Sequence, residues 1–243
     1  MTMPELDGKV VLVTGASRGL GYQAALEAAR RGAHVIALAR TVGGLEDLDD
    51  DIKKLGGSAT LVPLDLRDFE ALDRLGLSIF QRWGRLDGLV GNAAALGVIT
   101  PLAHLDPKDF EQTFGLNVTA NYRLIRSLDA LLRQAEAGRA VFLSTSVVYG
   151  VRPFWGLYAA TKAALEVMVR SYADELGVSR AKANMFDPGR LRTQMRAKSH
   201  PGEDPETLPH PSVAAPALID MIVPAYAGNG QRFDFLSKQT TPL

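Results

Sequence analysis

Short apolar runs alternate along the chain with longer stretches in which apolar residues recur at helical spacing. The apolar runs are mostly continuous, which is typical of strands covered by helices on both faces of a sheet. The predicted strands are Lys9–Thr14, His34–Ala39, Ala59–Leu64, Leu86–Gly91, Ala140–Thr145, Ala183–Asp187 and Arg232–Leu236. The predicted helices span residues 19–31, 45–55, 69–83, 107–134, 156–177 and 212–223. This alternation predicts a doubly wound α/β fold: a seven-stranded parallel sheet flanked by helices on both faces.

The length and the pattern together predict one domain over residues 1–243. Residues 198–211 are the exception to the alternation, since they are rich in proline and charge and lie between a strand and a helix. A loop of this length in a compact domain is often functional. We therefore expect a substrate or lid loop near residues 190–211, with a disordered surface insertion as the alternative.

Charge and composition exclude several classes of protein. Lys+Arg and Asp+Glu both number 27, so the formal net charge is zero, which argues against a broad surface for nucleic acid or anionic lipid. Cysteine is absent, so disulfides, thiolate catalysis and cysteine-ligated zinc are excluded. The four histidines show no chelating pattern, and no metal is predicted. The polar first eight residues do not resemble a signal peptide, and no membrane helix is expected, so a cytoplasmic location is predicted.

A glycine-rich turn follows the first predicted strand directly. The segment Gly15-Ala16-Ser17-Arg18-Gly19-Leu20-Gly21 leads into a helix pattern. Glycines allow a sharp turn and a close approach of ligand to backbone, and the helix that follows directs its free N–H groups toward the turn. A glycine trio alone marks no more than a tight turn. The strand before it and the helix after it predict a Rossmann-type dinucleotide site that includes Gly15, Ser17, Arg18, Gly19, Leu20 and Gly21.

The residue after the second strand indicates which dinucleotide this is. An acidic residue there would hydrogen-bond the adenosine ribose and favour NAD. This chain has Ala39 followed by Arg40, and a guanidinium can pair with a 2′-phosphate. Arg18 could supply a second charge. The sequence therefore predicts NADP as cofactor, with two solvated surface arginines as the alternative.

Tyr158 and Lys162 are four residues apart on a predicted helix, so they share one face. A free tyrosine has a pKa of about 10, and a nearby ammonium favours the phenolate and lowers that pKa. Such a phenol could exchange a proton with a carbonyl or alcohol oxygen while a hydride moves at carbon. Taken alone, this spacing is more often an ordinary amphipathic helix face.

The glycine turn, the Tyr158/Lys162 pair and four further segments together resemble the classical short-chain dehydrogenase/reductase family. The further segments are the strand end Gly91-Asn92-Ala93-Ala94, the helical Asn117, the strand end Ser144-Thr145-Ser146, and Pro188-Gly189 followed by Leu191 and Thr193. They occur in the family's order and cover essentially the whole chain.

The resemblance implies roles for these residues. The catalytic residues would be Asn117, Ser146, Tyr158 and Lys162. The lysine would also hold the nicotinamide ribose, the serine would orient the substrate oxygen, and the asparagine would position a water. The cofactor would further contact Asp65, Leu66, Asn92, Ala93, Ala94, Tyr158, Lys162, Pro188, Gly189, Leu191 and Thr193. The implied partners are a small-molecule carbonyl or alcohol substrate and a second copy, as a homodimer or homotetramer, without nucleic acid or membrane.

The chain departs from the family pattern in two places. Gly91 and Ala94 replace the Asn and Gly at the ends of the family's Asn-Asn-Ala-Gly segment. Ser146 lies 12 residues before Tyr158, where the family commonly has 13, and Thr145 therefore remains a rival hydroxyl.

The predicted function is NADP(H)-dependent interconversion of a carbonyl and an alcohol. The alternative is a non-catalytic protein that senses a dinucleotide with the same fold.

Overall fold

The computed structural model describes residues 5–150 and 152–243. Residues 1–4, part of the segment compared with a signal peptide, lie outside the described residues. The strands are β1 Val10–Thr14, β2 His34–Ala39, β3 Ser58–Pro63, β4 Gly88–Gly91, β5 Arg139–Leu143, β6 Lys182–Asp187, β7 Gln231–Asp234 and β8 Gln239–Pro242. The helices are α1 Gly19–Arg30, α2 Val42–Lys54, α3 Phe69–Trp83, α4 Pro107–Phe114, α5 Ala120–Gln134, α6 Gly156–Leu176, α7 Gln194–Ser199 and α8 Ala215–Asp220.

The strands form one sheet in the order β3-β2-β1-β4-β5-β6-β7-β8. Seven strands are parallel, which confirms the doubly wound Rossmann-type fold. The prediction of a purely parallel, seven-stranded sheet was incomplete, because β8 pairs with β7 in the antiparallel direction. The Gln-Thr-Thr-Pro sequence of β8 has no apolar run, since an edge strand is largely exposed to solvent.

Helices cover both faces of the sheet. One core packs α1, α2 and α8 against the sheet, and the other packs α3, α5 and α6 against the opposite face. Alternate residues of the apolar run of β1 enter the two cores, Val11 and Val13 one core and Val10 and Leu12 the other, as expected for a central strand. No described helix combines the length and apolar character that crossing a bilayer requires.

Helix ends follow ordinary capping chemistry. Asp106 accepts a hydrogen bond from the Lys108 amide, and Pro107 occupies the first turn of α4. The single helix predicted over residues 107–134 is divided by a π-helical turn, Gly115–Thr119, between α4 and α5. Such turns are frequent at functional sites.

The chain predicted as a loop near 190–211 is partly helical. α7 and two short 3₁₀ turns, Pro205–Thr207 and Pro211–Val213, occupy much of it. Asp204 caps the first of these turns by accepting from the Glu206 amide. The helix predicted over 212–223 is shortened to α8, since the 3₁₀ turn Pro211–Val213 occupies the first predicted residues.

The candidate site lies where the strand order reverses. β2 and β4 both pair with β1 and are reached by connections on opposite sides of the sheet. Open α/β sheets bind ligands in the crevice outside the carboxyl ends of the strands at this switch point.

Candidate active site

The glycine turn adopts the conformation that its sequence predicts. Gly15 and Gly19 have φ angles of 67° and 59°, which L side chains rarely adopt. Gly21 lies so close to its neighbours that a Cβ would be 2.4 Å from both the Gly15 carbonyl oxygen and Asn92 Nδ2. Residues with side chains at these positions would fill the space beside the start of α1. The bare backbone therefore suits the close approach of a pyrophosphate to free N–H groups.

Thr14 and Asn92 join the strand ends on the two sides of the switch point. The Thr14 hydroxyl donates to the Val90 carbonyl and accepts from the backbone amides of Asn92 and Ala93, at 3.0 and 3.1 Å. Asn92 Nδ2 donates to the Thr14 carbonyl at 2.9 Å. Asn92, predicted as a cofactor contact, thus also holds the base of the glycine turn.

The segment after β6 closes against the same turn. Gly189 has a φ of 65°, and Leu191 is buried. The Thr193 methyl lies 3.7 Å from where a Gly19 Cβ would be, and the Thr193 hydroxyl caps α7 by accepting from Arg196. The structure therefore brings together two segments that the sequence assigned to the cofactor, although they are about 170 residues apart.

Two predicted cofactor arginines lie in different surroundings. Arg40 follows β2, is mostly exposed, and has its Nη1 3.6 Å from Asp65 Oδ2. Arg67 also binds Asp65 through two nitrogens, and this contact lowers the pKa of Asp65 to about 2. Arg18 instead donates to Gln194 Oε1 at 3.0 Å, so its guanidinium joins the glycine turn to α7. Leu66, the other predicted contact here, is buried.

Tyr158 and Lys162 lie on one face of α6, as predicted. The Lys162 side chain is buried, with 2% of its surface exposed, and Nζ donates to the Leu143 carbonyl at 2.8 Å. The same Nζ is 5.9 Å from the centre of the Tyr158 ring. Burial lowers the pKa of Lys162 to about 8, against the opposing influence of Glu166 and Asp187.

The pKa of Tyr158 moves opposite to the sequence-based expectation. Burial raises the pKa of the Tyr158 hydroxyl, and the nearby Asp187 carboxylate raises it further. A pKa lowered by Lys162 was expected from spacing alone, and this expectation was wrong, because the desolvation of the phenolate and the Asp187 carboxylate both raise the pKa. Tyr158 is therefore a neutral phenol, able to donate a proton, over the physiological pH range.

Asn117 lies in the π-helical turn and is completely buried. Its Oδ1 accepts from the Ala95 amide at 2.8 Å, while Nδ2 donates to the Ala95 carbonyl at 2.8 Å and to Thr161 Oγ1 at 3.0 Å. Thr161 Oγ1 in turn donates to the Tyr158 carbonyl. The Asn117 side chain thus fixes the chain after β4 relative to α6, and the Asn117 carbonyl accepts from Asn121 Nδ2.

The two rival hydroxyls at the end of β5 differ in burial. Ser146 is exposed and begins a 3₁₀ turn, whereas Thr145 is half-buried. Thr145 Oγ1 has a long contact of 3.4 Å to the Val147 amide. The expectation for Ser146 stays a prediction, and burial favours its rival.

The departure at Gly91 has a steric cause. A Cβ there would be 2.3 Å from the Phe142 ring and 3.2 Å from Asn121 Oδ1. Ala94, the other departure, is half-buried in the chain after β4. The larger neighbours Phe142 and Asn121 occupy the space that a longer residue 91 would need.

Sequence reasoning missed the carboxylates behind the Tyr158/Lys162 pair. Asp187 ends β6 with 2% of its surface exposed; one oxygen accepts from the Gly189 amide, and the other has no partner among the described residues. Burial raises the pKa of Asp187. Glu166, also buried, accepts from the hydroxyls of Ser144 and Tyr149. An acidic residue closing an apolar strand, and another one turn after Lys162, are the signals that could have revealed them.

Among the described residues, no three His, Asp or Glu side chains gather where they could share a metal ion.

Comparisons with known proteins agree with the fold. The short chain dehydrogenase family model matches residues 9–204. The uncharacterized oxidoreductase YciK of Escherichia coli is 38% identical over 217 residues, covering 88% of this chain and 86% of its own. The structure of a putative short chain dehydrogenase from Pseudomonas syringae superposes with a TM-score of 0.92 at 37% identity, covering 96% of each chain.

A second solved structure is a short chain dehydrogenase from Shigella flexneri complexed with NADP. It superposes with a TM-score of 0.91 at 35% identity, covering 96% of this chain and 99% of its own. The chain therefore belongs to the short-chain dehydrogenase/reductase family of oxidoreductases.

Proposed function

We propose that this protein is an NADP(H)-dependent oxidoreductase that interconverts a carbonyl and an alcohol. The observation that carries the proposal is the buried Lys162 beside the Tyr158 ring on α6, with its Nζ bound to the Leu143 carbonyl at the end of β5. A buried ammonium is costly unless its charge is used or compensated. The NADP complex of the similar Shigella flexneri protein supports the choice of cofactor.

The residues fit a bound dinucleotide. The bare backbone of Gly15, Gly19 and Gly21 would hold the pyrophosphate, and Arg40 the 2′-phosphate. When bound, the nicotinamide supplies or accepts the hydride. Pro188, Gly189, Leu191 and Thr193 would border it from the lid side, together with Ala93 and Ala94.

Residues of α6 transfer the proton. Tyr158, kept protonated by burial and by Asp187, gives its proton to the carbonyl oxygen as that oxygen becomes an alcohol. Lys162 stabilises the phenolate that remains, and its own proton is labile near neutral pH because its pKa is about 8. A hydroxyl of Ser146, or of its rival Thr145, orients the oxygen. Asn117 fixes the chain after β4 against α6, close to Tyr158.

Because its pKa is raised, Tyr158 begins carbonyl reduction as a protonated phenol near neutral pH. Reduction needs a phenol that donates a proton, and oxidation needs a phenolate that accepts one. In this arrangement the phenol is the stable form.

The test follows NADPH oxidation with a broad panel of aldehydes and ketones. We expect Tyr158→Phe to lower kcat by about 10²–10⁴, the range of general acid catalysis, while the Kd for NADPH stays unchanged. Tyr122→Phe, at an exposed tyrosine of α5, is the matched control and should keep full turnover. Tight NADPH binding without turnover of any carbonyl would instead favour a dinucleotide sensor.

A further inference from the structure

Residues 144–149, the hydroxyl segment, follow β5 and carry both hydroxyls that could orient the substrate oxygen, Thr145 and Ser146. One short 3₁₀ turn holds the segment together. In it the Val148 amide donates to the Thr145 carbonyl at 3.3 Å, and the Tyr149 amide donates to the Ser146 carbonyl at 3.1 Å. Such turns have poorer hydrogen-bond geometry than an α-helix. The position of either hydroxyl therefore depends on contacts with other parts of the chain.

Glu166 of α6 binds both ends of the hydroxyl segment. Its Oε1 accepts from the hydroxyl of Ser144, and its Oε2 accepts from the hydroxyl of Tyr149. Glu166 and Ser144 are buried. Hydrogen bonds to a carboxylate are about twice as strong as those between neutral groups. One side chain thus fixes the two residues that flank Thr145 and Ser146.

The same face of α6 reaches the end of β5 through a second side chain. Lys162 Nζ donates at 2.8 Å to the carbonyl of Leu143, the residue directly before Ser144. Tyr158, Lys162 and Glu166 follow one another at intervals of four residues, so they share one face of the helix. The helix face that carries the proton donor therefore also sets the position of the hydroxyl segment.

Tyr149 is held from a second side as well. The residue is 58% exposed, yet its hydroxyl is bound to Glu166, and the Arg232 guanidinium of β7 lies 3.8 Å from the centre of its ring. A cation over an aromatic face is attracted to it. The far end of the hydroxyl segment is therefore fastened between α6 and β7.

We propose that Glu166 is a positioning residue, whose carboxylate holds the hydroxyl segment so that Thr145 or Ser146 binds the substrate oxygen beside Tyr158. The proposal rests on the proposed function, since it assumes that a carbonyl is reduced at Tyr158. Glu166 acts through the hydroxyl that it places, and not by touching substrate or cofactor. Because a misplacement of about 1 Å can cost about 10²-fold in rate, this role should be visible in kcat.

The first test is Tyr149→Phe, which removes one of the two bonds and leaves the Glu166 charge in place. This matters because Glu166 also raises the pKa of Lys162. We expect kcat to fall about 10-fold, while the Kd for NADPH and the alkaline limb of the pH profile stay unchanged. Glu166→Gln keeps the length of the side chain and one acceptor oxygen, so it should lose less activity than Glu166→Ala.

The matched controls are Tyr172→Phe and Glu175→Gln, both on α6. The Tyr172 hydroxyl donates to Asp129 at 2.9 Å, and Glu175 accepts from the Ser171 hydroxyl at 2.8 Å. Each control changes a bond between a hydroxyl and a carboxylate away from the hydroxyl segment, so kcat should stay the same. An equal fall of kcat in the controls and in Tyr149→Phe would overturn the positioning role.

A double-mutant cycle provides the readout that a merely structural residue would not move. Tyr149→Phe is combined with Thr145→Val and, separately, with Ser146→Ala. In the background that lacks the orienting hydroxyl, Tyr149→Phe should cost less than about 2-fold in kcat, which is the error of such cycles. Coupling with one of the two hydroxyls would support the proposal and identify the orienting residue. Independent losses in both backgrounds would overturn it.

Native-state hydrogen exchange, followed by NMR, separates this proposal from the proposed function because it needs no turnover. We expect the amides of Val148, Tyr149 and Gly150 to exchange about 5-fold faster in Tyr149→Phe than in Tyr172→Phe, as the loss of one hydrogen bond implies. Faster exchange would support the hold of Glu166 on the segment even if no carbonyl were reduced. Unchanged exchange together with independent losses in kcat would overturn the positioning role while carbonyl reduction stood.

Discussion

The two ends of the candidate active site are built in different ways. At the glycine turn, the shape depends on the backbone: two left-handed glycines, a third without room for a Cβ, and short polar side chains that join β1 to β4. At Tyr158, the chemistry depends on buried charges from three elements, namely Lys162 and Glu166 on α6 and Asp187 on β6, with Arg232 of β7 nearby. The first end is a matter of steric fit and the second of electrostatic balance.

The difference predicts how each end responds to substitution. A steric site fails abruptly, because backbone atoms cannot move aside for an added methyl group. An electrostatic site changes by degrees, because removing one charge shifts the pKa of its neighbours and leaves the others in place.

Among the variants that test this comparison, the largest effect is expected from Gly21→Ala. The added methyl group would meet the Gly15 carbonyl oxygen and Asn92 Nδ2 at 2.4 Å, so the turn must open. We expect the Kd for NADPH to rise about 10-fold or more, and the free energy of unfolding to fall by about 1–3 kcal/mol, as overpacking typically costs. Titration of NADPH fluorescence and denaturant unfolding measure the two effects.

Gly43→Ala is the control for that variant. Gly43 lies in α2 with nothing within 4 Å of its would-be Cβ, so alanine should be neutral or stabilising by about 0.5–1 kcal/mol. Unchanged NADPH binding in Gly21→Ala would contradict the steric account of this end.

The same contrast explains which features could be predicted from sequence. Gly15, Gly19 and Gly21 were recognisable because the backbone conformation that they allow requires glycine itself. Tyr158 and Lys162 were recognisable because helical spacing places them on one face. The Asp187 and Glu166 carboxylates could not be assigned, because their effect depends on burial and on contacts between residues far apart along the chain.

The direction of the Tyr158 pKa shift was missed for the same reason. Spacing reveals a neighbouring ammonium, but it reveals neither the desolvation of the phenolate nor the Asp187 carboxylate, and these two raise the pKa of Tyr158. At the level of the fold, strands with continuous apolar runs were found, whereas polar β8 was not. The π-helical turn carries Asn117, whose side chain binds Ala95 and Thr161, and helical periodicity does not reveal such contacts.

A smaller effect is expected from Arg40→Ala, which tests whether cofactor selectivity comes from a side chain at the backbone-built end. Arg40 is mostly exposed, with only a 3.6 Å contact to Asp65, so its removal should leave the fold intact. We expect the Kd for NADPH to rise about 10-fold, the low end for a hydrogen bond between charged groups, while the Kd for NADH stays the same. Isothermal titration with both cofactors measures this.

Arg74→Ala, at an exposed arginine of α3, should change neither constant. The prediction of NADP fails if the unmodified protein binds NADH at least as tightly as NADPH, and the role of Arg40 fails if both affinities fall together.

The smallest and most specific effect is expected from Asp187→Asn, which keeps the shape of the side chain and removes its charge. The groups that face Asp187 are Tyr158, Lys162 and Glu166 on α6, Arg232 and Asp234 on β7, and the Gly189 amide. Asp187 raises the pKa of both Tyr158 and Lys162, so the variant should lower both. Carbonyl reduction needs a protonated tyrosine and a charged lysine. The alkaline limb of the pH profile of kcat/KM should therefore move to lower pH in the variant.

Stability should change in the opposite sense to activity. The pKa of Asp187 is raised above its ordinary value of 3.8 by burial, so the folded protein holds this proton more tightly than the unfolded chain does. The stability that this carboxyl contributes is therefore lost as the pH rises above its pKa in the unfolded chain. Asparagine does not titrate, so the variant does not lose this stability. The variant should melt at a higher temperature than the unmodified protein near pH 7, by about 2–4 °C for each kcal/mol gained, and this difference should disappear at acidic pH.

Asp174→Asn, at an exposed position on α6, should show neither effect. An unshifted alkaline limb together with a lower melting temperature would mean that Asp187 is a structural acceptor for Gly189 alone, and that the charge balance behind Tyr158 does not involve it.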